Sequence, residues 1–125
     1  MNRFAVLFVL LLPVILALPG CKQDDIKKDT AKIGDAMCRN IDVMGRLRMA
    51  RPDDTAAINA LQAEVRKIQE EMTGLYKEFN KKYGNKVNDI EFSREFSREL
   101  RKTMLDNCRS LSKQDREQFE KDLEK

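Results

Sequence analysis

Three cysteines are the residues in this sequence whose type and placement suggest specific chemistry. Cys21 directly follows an apolar segment, whereas Cys38 and Cys108 lie in charged sequence with helical periodicity. A thiol can be modified or oxidised to a disulfide, and it acts as a nucleophile when a neighbouring base activates it. The chain has no histidine, which excludes Ser–His and Cys–His pairs and His-ligated zinc. We therefore predict that these thiols are modified or cross-linked and that the protein is not an enzyme.

The segment before Cys21 has the organisation of a secretory signal peptide. Arg3 precedes a nearly unbroken apolar run over residues 4–18, which Pro19 and Gly20 end. This run is about 15 residues long, shorter than the roughly 20 residues that cross a bilayer as a helix. We therefore expect the segment to be cleaved rather than kept as a membrane anchor.

The residues at the end of this segment, Leu18-Pro19-Gly20-Cys21, resemble the lipobox of bacterial lipoproteins. In that motif a Leu and two mostly small residues precede the Cys at which the signal peptide is removed. The resemblance implies that Cys21 becomes the N-terminus, with diacylglycerol on its thiol and a further acyl chain, such as palmitate, on its amine. Several acyl chains make a stable anchor where one does not. The alternative is an ordinary signal peptide cut near Ala17, which leaves Cys21 as a free thiol.

The same resemblance predicts a location in the bacterial cell envelope. Lys22 follows Cys21, whereas enterobacterial lipoproteins of the inner membrane have Asp at that position, so we expect the outer membrane. The sequence Lys22-Gln23-Asp24-Asp25 also resembles the short Lys/acid signal for surface display in Bacteroidetes. The periplasmic and the surface face therefore both stay open.

Composition limits what the rest of the chain binds. Lys and Arg number 24 against 21 Asp and Glu, a net charge of +3, so we predict no nucleic-acid partner. About 105 residues follow the signal peptide, enough for one domain with one core. The methionines are spread over three predicted helices without a Met-x-Met cluster, which favours core packing over copper(I) ligation. No metal or cofactor is predicted.

Helical periodicity dominates the chain after a short polar tether at residues 21–25. Apolar residues recur at three- and four-residue steps over about residues 25–50, which predicts the first long helix. A second helix is predicted from an N-cap at Asp53 or Asp54 to the turn at Gly84. Its apolar stripe steps alternately by three and four residues, the seam of helices packed as in coiled coils. This stripe consists of Ile58, Leu61, Val65, Ile68, Met72, Leu75 and Phe79.

Two further helices are predicted after that turn. Asn88 with Glu91 resembles a capping box and predicts the start of a third helix, and Ser112 with Asp115 predicts a short fourth. On the third helix Arg94, Arg98 and Lys102 each have a Glu three positions earlier, so we expect a charge-compensated outer face. We expect its apolar stripe to turn inward. This stripe consists of Phe92, Phe96, Leu100, Met104 and Cys108.

The predicted helix lengths bring Cys38 and Cys108 to one level. We count residues from Cys38 up helix 1, down helix 2 and up helix 3. The count returns to the level of Cys38 two residues before Cys108, which is about 3 Å along the helix axis. The envelope permits disulfides, and these two thiols form an even pair once Cys21 is acylated. Gly34 and Gly45 lie near the stripe of Cys38 and would let helix 3 approach closely. We predict a Cys38–Cys108 disulfide, and the alternative is two inert thiols.

These observations predict an all-α fold, an antiparallel up-down-up bundle of three long helices plus a short C-terminal helix. Its domains are the cleaved signal peptide at 1–20, the lipidated N-terminus and tether at 21–25, and the bundle at 26–125. The predicted function is that of a non-catalytic envelope protein, a protein-interaction or tethering module held to the membrane by its lipid. Reduction of the disulfide would expose a candidate interaction surface formed by Phe92, Phe96 and Leu100. The alternative is a lipoprotein that binds a small apolar ligand between its helices or serves in envelope stress.

The up-down-up arrangement also places lysines at the end nearest the lipid. They outnumber the acids there, which predicts a mildly basic end resting on anionic headgroups. The alternative is ordinary solubilising charge. The lysines are Lys22, Lys27, Lys28, Lys32, Lys77, Lys81, Lys82 and Lys86, and the acids are Asp24, Asp25, Asp29 and Glu78.

Overall fold

A computed structural model describes the backbone of residues 20–125 and the side chains from residue 25 onward. No strand occurs in that range, which confirms the all-α prediction as a helical bundle of four α-helices. The helices are α1 (Gly20–Met49), α2 (Thr55–Tyr83), α3 (Ile90–Asn107) and α4 (Lys113–Leu123), with a 3₁₀ turn at Gly84–Lys86 after α2. None of these helices combines the length and apolarity needed to cross a bilayer. The predicted signal peptide up to residue 19 and the thiol of Cys21 lie outside the described residues.

Two of the predicted N-caps are present. The carboxylate of Asp54 accepts a hydrogen bond from the backbone N–H of Ala57 at 3.0 Å, which starts α2. The hydroxyl of Ser112 accepts from the backbone N–H of Asp115 at 3.1 Å, which starts α4. Each bond satisfies one of the backbone donors that a helix leaves free in its first turn.

The start of α3 differs from the prediction by one residue. The cap is Asp89 and not Asn88, since the Asp89 carboxylate accepts from the backbone N–H of Glu91 at 2.9 Å and of Phe92 at 3.3 Å. Asn and Asp cap helices about equally well, so residue type alone does not separate these two adjacent positions.

The start of α1 also differs. The helix already includes Gly20, where the described residues start, so residues 21–25, predicted as a tether, are helical. After Gly20 the next residue that weakens a helix this strongly is Gly34, and the Lys and Gln in between favour helix. Nothing in this stretch therefore ends the helix before the bundle starts.

Both α2 and α3 pack along α1. Arg39 of α1 binds Glu71 of α2, and Asp29, ten residues earlier on α1, binds Lys82. Residue numbers thus fall on α2 as they rise on α1. Toward α3 they rise together, from Gly34 against Thr103 to Cys38 against Cys108, the latter pair joined covalently.

The core consists of two adjoining clusters of side chains. The first lies where α1 begins and α2 ends, and it comprises Ile26, Ile33, Phe79, Tyr83 and Phe92. The second comprises Cys38, Met104 and Cys108, with Leu111 and Phe119 of the chain's last part packed against it. Arg116 of α4 donates to the carbonyl oxygens of Leu105 and Cys108, both at 3.0 Å, and so holds α4 against the end of α3.

Candidate functional site

A disulfide joins Cys38 in the middle of α1 to Cys108 at the end of α3. Their Cα atoms lie 4.9 Å apart, within the usual range for a disulfide. Both residues are buried, and the backbone N–H of Cys108 closes the last turn of α3 by donating to the carbonyl of Met104 at 2.8 Å. The pair that the sequence predicts is therefore present, and it fixes the end of α3 to α1.

Gly34 lets α1 and α3 approach closely at this joint. A Cβ atom on Gly34 would lie 2.7 Å from Cγ2 of Thr103, closer than two non-bonded carbon atoms approach each other. The same expectation for Gly45 is wrong, because nothing lies within 4 Å of a Cβ atom there. The reason is that α3 ends at Asn107, and Gly45 lies beyond the level that α3 reaches.

The candidate interaction surface on α3 is only partly accessible. Phe92 is buried in the first core cluster, whereas Phe96 and Leu100 are half-buried and pack against it. The rings of Phe79 and Phe96 lie 4.9 Å apart between centroids, and those of Phe79 and Phe92 lie 6.1 Å apart. The stripe therefore turns inward, as predicted, and Phe92 is not free to contact a partner in this state.

An apolar groove of about 290 Å³ opens between α2 and α3 beside these aromatic rings. Both helices pack along α1, and here the rings of Phe79 of α2 and Phe96 of α3 make the contact between them. Tyr76 and Val87 lie at the groove's edge with 38% and 51% of their surface exposed. The groove is lined by Tyr76, Phe79, Asn80, Val87, Phe92, Ser93, Phe96 and Ser97.

Sequence reasoning missed Tyr76 and Val87 as part of a surface. Tyr76 lies one position after the seam residue Leu75, and Val87 lies between helices, so neither belongs to a predicted stripe. The available signal was that both are large apolar side chains at positions that the helical pattern does not bury.

A polar cluster joins α1 and α2 on another side of the molecule. The Asp29 carboxylate accepts from Nζ of Lys82 at 2.8 Å and from Oη of Tyr83 at 2.9 Å. Partial burial opposes ionisation of Asp29, but these two hydrogen bonds outweigh it and hold its pKa below the ordinary value. The hydrogen bond to Asp29 raises the pKa of Lys82. Because both donors lie on α2 and the acceptor lies on α1, this cluster ties the two helices together.

Two further results concern metal binding and similarity to known proteins. Within the described part of the chain, no three His, Cys, Asp or Glu side chains converge in a way that could hold a metal ion. Comparison of the whole chain with models of known protein families, with curated proteins and with solved structures finds no match.

Proposed function

We propose that this protein is a lipid-anchored protein of the bacterial envelope whose helical bundle is a non-catalytic protein-interaction or tethering module. The observation that carries the proposal is the open apolar groove between α2 and α3, with Tyr76 and Val87 exposed at its edge. An apolar groove flanked by two helices fits the apolar face of a third helix. The occupant we propose is therefore an amphipathic helix of a partner protein.

The proposed architecture is the up-down-up bundle of α1, α2 and α3, with α4 folded back on α3. Its support is the pairing along α1, where contacts with α2 run in opposite chain directions and contacts with α3 run in the same direction. In this arrangement α1 is covered on two sides, and the groove lies on the side where α2 and α3 face each other.

The proposed anchor is Cys21, acylated after removal of residues 1–20. Because α1 includes residue 21, an acylated Cys21 would be joined to the bundle by continuous helix and not by a flexible tether. Such a connection would hold the bundle close to the membrane. We propose the outer membrane, on its periplasmic or its surface face.

A second candidate function is the binding of a small apolar molecule, with or without a role in envelope stress. The groove favours it because its volume of about 290 Å³ is close to the lower limit for small-molecule sites. Aromatic and small polar side chains line such sites, and Phe79, Phe96, Ser93 and Ser97 do so here.

Site-specific photo-crosslinking in living cells separates the two candidates. A photoreactive amino acid replaces Tyr76 in the groove or, as the matched control, Lys67, which is exposed and about two and a half turns away on the opposite side of α2. We expect Tyr76 variants to form one adduct with a specific protein and Lys67 variants to form none. An adduct of low molecular mass at Tyr76 would instead support the apolar-ligand function. Identical products at both positions would contradict the groove as the binding site.

A further inference from the structure

Two large apolar side chains are exposed where α2 passes into α3, Val87 in the connection and Ile90 at the first position of α3. Val87 has 51% and Ile90 has 69% of its surface exposed. They follow the 3₁₀ turn Gly84–Lys86 and stand on either side of the Asp89 cap, so they project from the end of the bundle and contribute to neither core cluster. Two exposed apolar side chains at one tip are available for contact with another surface.

This tip lies at the same end of the molecule as the start of α1. Ile26 belongs to the core cluster of Tyr83 and Phe92, and Nζ of Lys82 lies 3.7 Å from the Asp25 carboxylate. Cys21 precedes Ile26 by five residues of helix, or about 8 Å along the axis. A bilayer that holds acyl chains on Cys21 therefore lies within reach of the tip.

We propose that Ile90 rests in the interfacial region of that bilayer and forms a second membrane contact beside the lipid, with Val87 at the border between this contact and the groove. The inference rests on the proposed lipid anchor. Apolar side chains gain free energy by leaving water for the boundary between headgroups and acyl chains. The contact fixes the orientation of the bundle on the membrane, which acyl chains alone leave free.

Charge plays the smaller part in this contact. Lys81 and Lys86 lie beside the tip, and among the described side chains it is Lys82, not these two, that pairs with acids of α1. Each lysine near an anionic surface adds modest attraction. Asp89 and Glu91 flank Ile90, and their negative charges oppose this attraction. We therefore expect binding to zwitterionic lipid as well, and somewhat deeper insertion where anionic lipid is present.

The chain has no tryptophan, so one introduced tryptophan reports its own surroundings. Ile90→Trp places it at the tip, and Met49→Trp is the matched control, since Met49 is 86% exposed at the far end of α1. The mature protein, purified from bacterial membranes, is reconstituted into phosphatidylcholine vesicles with and without phosphatidylglycerol. We expect Ile90→Trp emission to shift to shorter wavelength and to be quenched by brominated acyl chains. Met49→Trp emission should stay as in water.

The mass of the same preparation keeps this inference separate from the proposed function. If Cys21 is acylated and Ile90→Trp behaves like Met49→Trp, the membrane contact is wrong and the anchor stands. If Cys21 carries no lipid, the proposed anchor is wrong, and vesicles added to that protein test the tip directly. A shift and quenching of Ile90→Trp then support the contact, and their absence overturns it.

Discussion

α1 meets its two long neighbours in different ways. Toward α3 the contact is close and buried, with Gly34 against Thr103 and the Cys38–Cys108 disulfide. Toward α2 the contact combines the buried side chains of the first core cluster with ion pairs nearer the surface, where the Arg39 and Glu71 side chains are 50% and 44% exposed. The apolar stripe of α2 is mostly half-buried, and its buried residues are Ile68 and Phe79.

The difference shows where this bundle is specific. Exposed ion pairs contribute about 0–1 kcal/mol each, because water and salt screen them. Close packing and a covalent bond depend on individual atoms, so the α1–α3 contact should respond strongly to single substitutions. Outside the first core cluster, the α1–α2 contact spreads its stabilisation over exposed ion pairs and half-buried side chains, and it should tolerate single substitutions there.

The largest effect is expected from removing the disulfide. Cys38→Ser opens a loop with a sequence separation of 70 residues, and we expect the free energy of unfolding to fall by about 4 kcal/mol in the chain-entropy model. Domains of this size are stable by only about 5–15 kcal/mol, so this is a large share. Urea unfolding without reductant measures it. Cys108→Ser should match Cys38→Ser, and the double variant should cost little more. Independent, additive losses would show that each thiol acts by packing alone.

The next effect concerns the close approach at Gly34. Gly34→Ala adds a methyl group that meets Thr103, and we expect it to destabilise by about 1–3 kcal/mol, as overpacking does. The matched control is Gly45→Ala, where the space is open and the helix gains about 0.5–1 kcal/mol of propensity. Urea unfolding of both variants measures the difference. Equal gains in the two variants would mean that α1 and α3 do not touch at Gly34.

A smaller effect is expected at Asp29, on the α2 side. Its pKa is lowered in the folded chain, so its contribution to stability is present above the ordinary Asp pKa of about 4 and is lost as the pH falls through the folded value. Asp29→Asn should unfold more easily at pH 7 and should lose less further stability on acidification than the unchanged protein. Melting temperatures from pH 7 to pH 2 measure both slopes. If the melting temperatures of Asp29→Asn and of the unchanged protein fall in parallel with pH, Asp29 does not stabilise the α1–α2 contact through its charge.

The smallest effect is expected for the ion pair of Arg39 and Glu71, in which the guanidinium donates to both carboxylate oxygens, at 2.5 Å and 2.9 Å. A double-mutant cycle with Arg39→Ala and Glu71→Ala should give a coupling of about 0.2–1 kcal/mol that decreases with added salt. A coupling well above this range would show that the α2 contact is as specific as the α3 contact.

Features encoded in a few neighbouring residues were predictable from the sequence. The caps at Asp54 and Ser112 follow from residue type next to an apolar stripe. The Cys38–Cys108 pair is not local, but it follows from helix lengths, which the positions of the turns define. The α3 cap was misplaced because Asn88 and Asp89 are adjacent residues that both cap helices well.

Features that depend on spacing between helices were not predictable. The helical pattern gives Gly34 and Gly45 equal weight. Which of the two glycines α3 reaches depends on where α3 ends, and it ends at Asn107, next to the disulfide. The groove likewise depends on how far α2 and α3 lie apart, and periodicity within one helix carries no information about that distance. Tyr76 and Val87 were therefore missed.

The intact mass of the mature protein, with and without reduction before alkylation, tests most directly whether the chain is an acylated and cross-linked envelope protein. We predict a chain that begins at Cys21, carries the mass of its acyl chains, and takes up alkylating agent at Cys38 and Cys108 only after reduction. A chain that retains the residues before Cys21, or one that is alkylated at Cys38 and Cys108 without reduction, would contradict this.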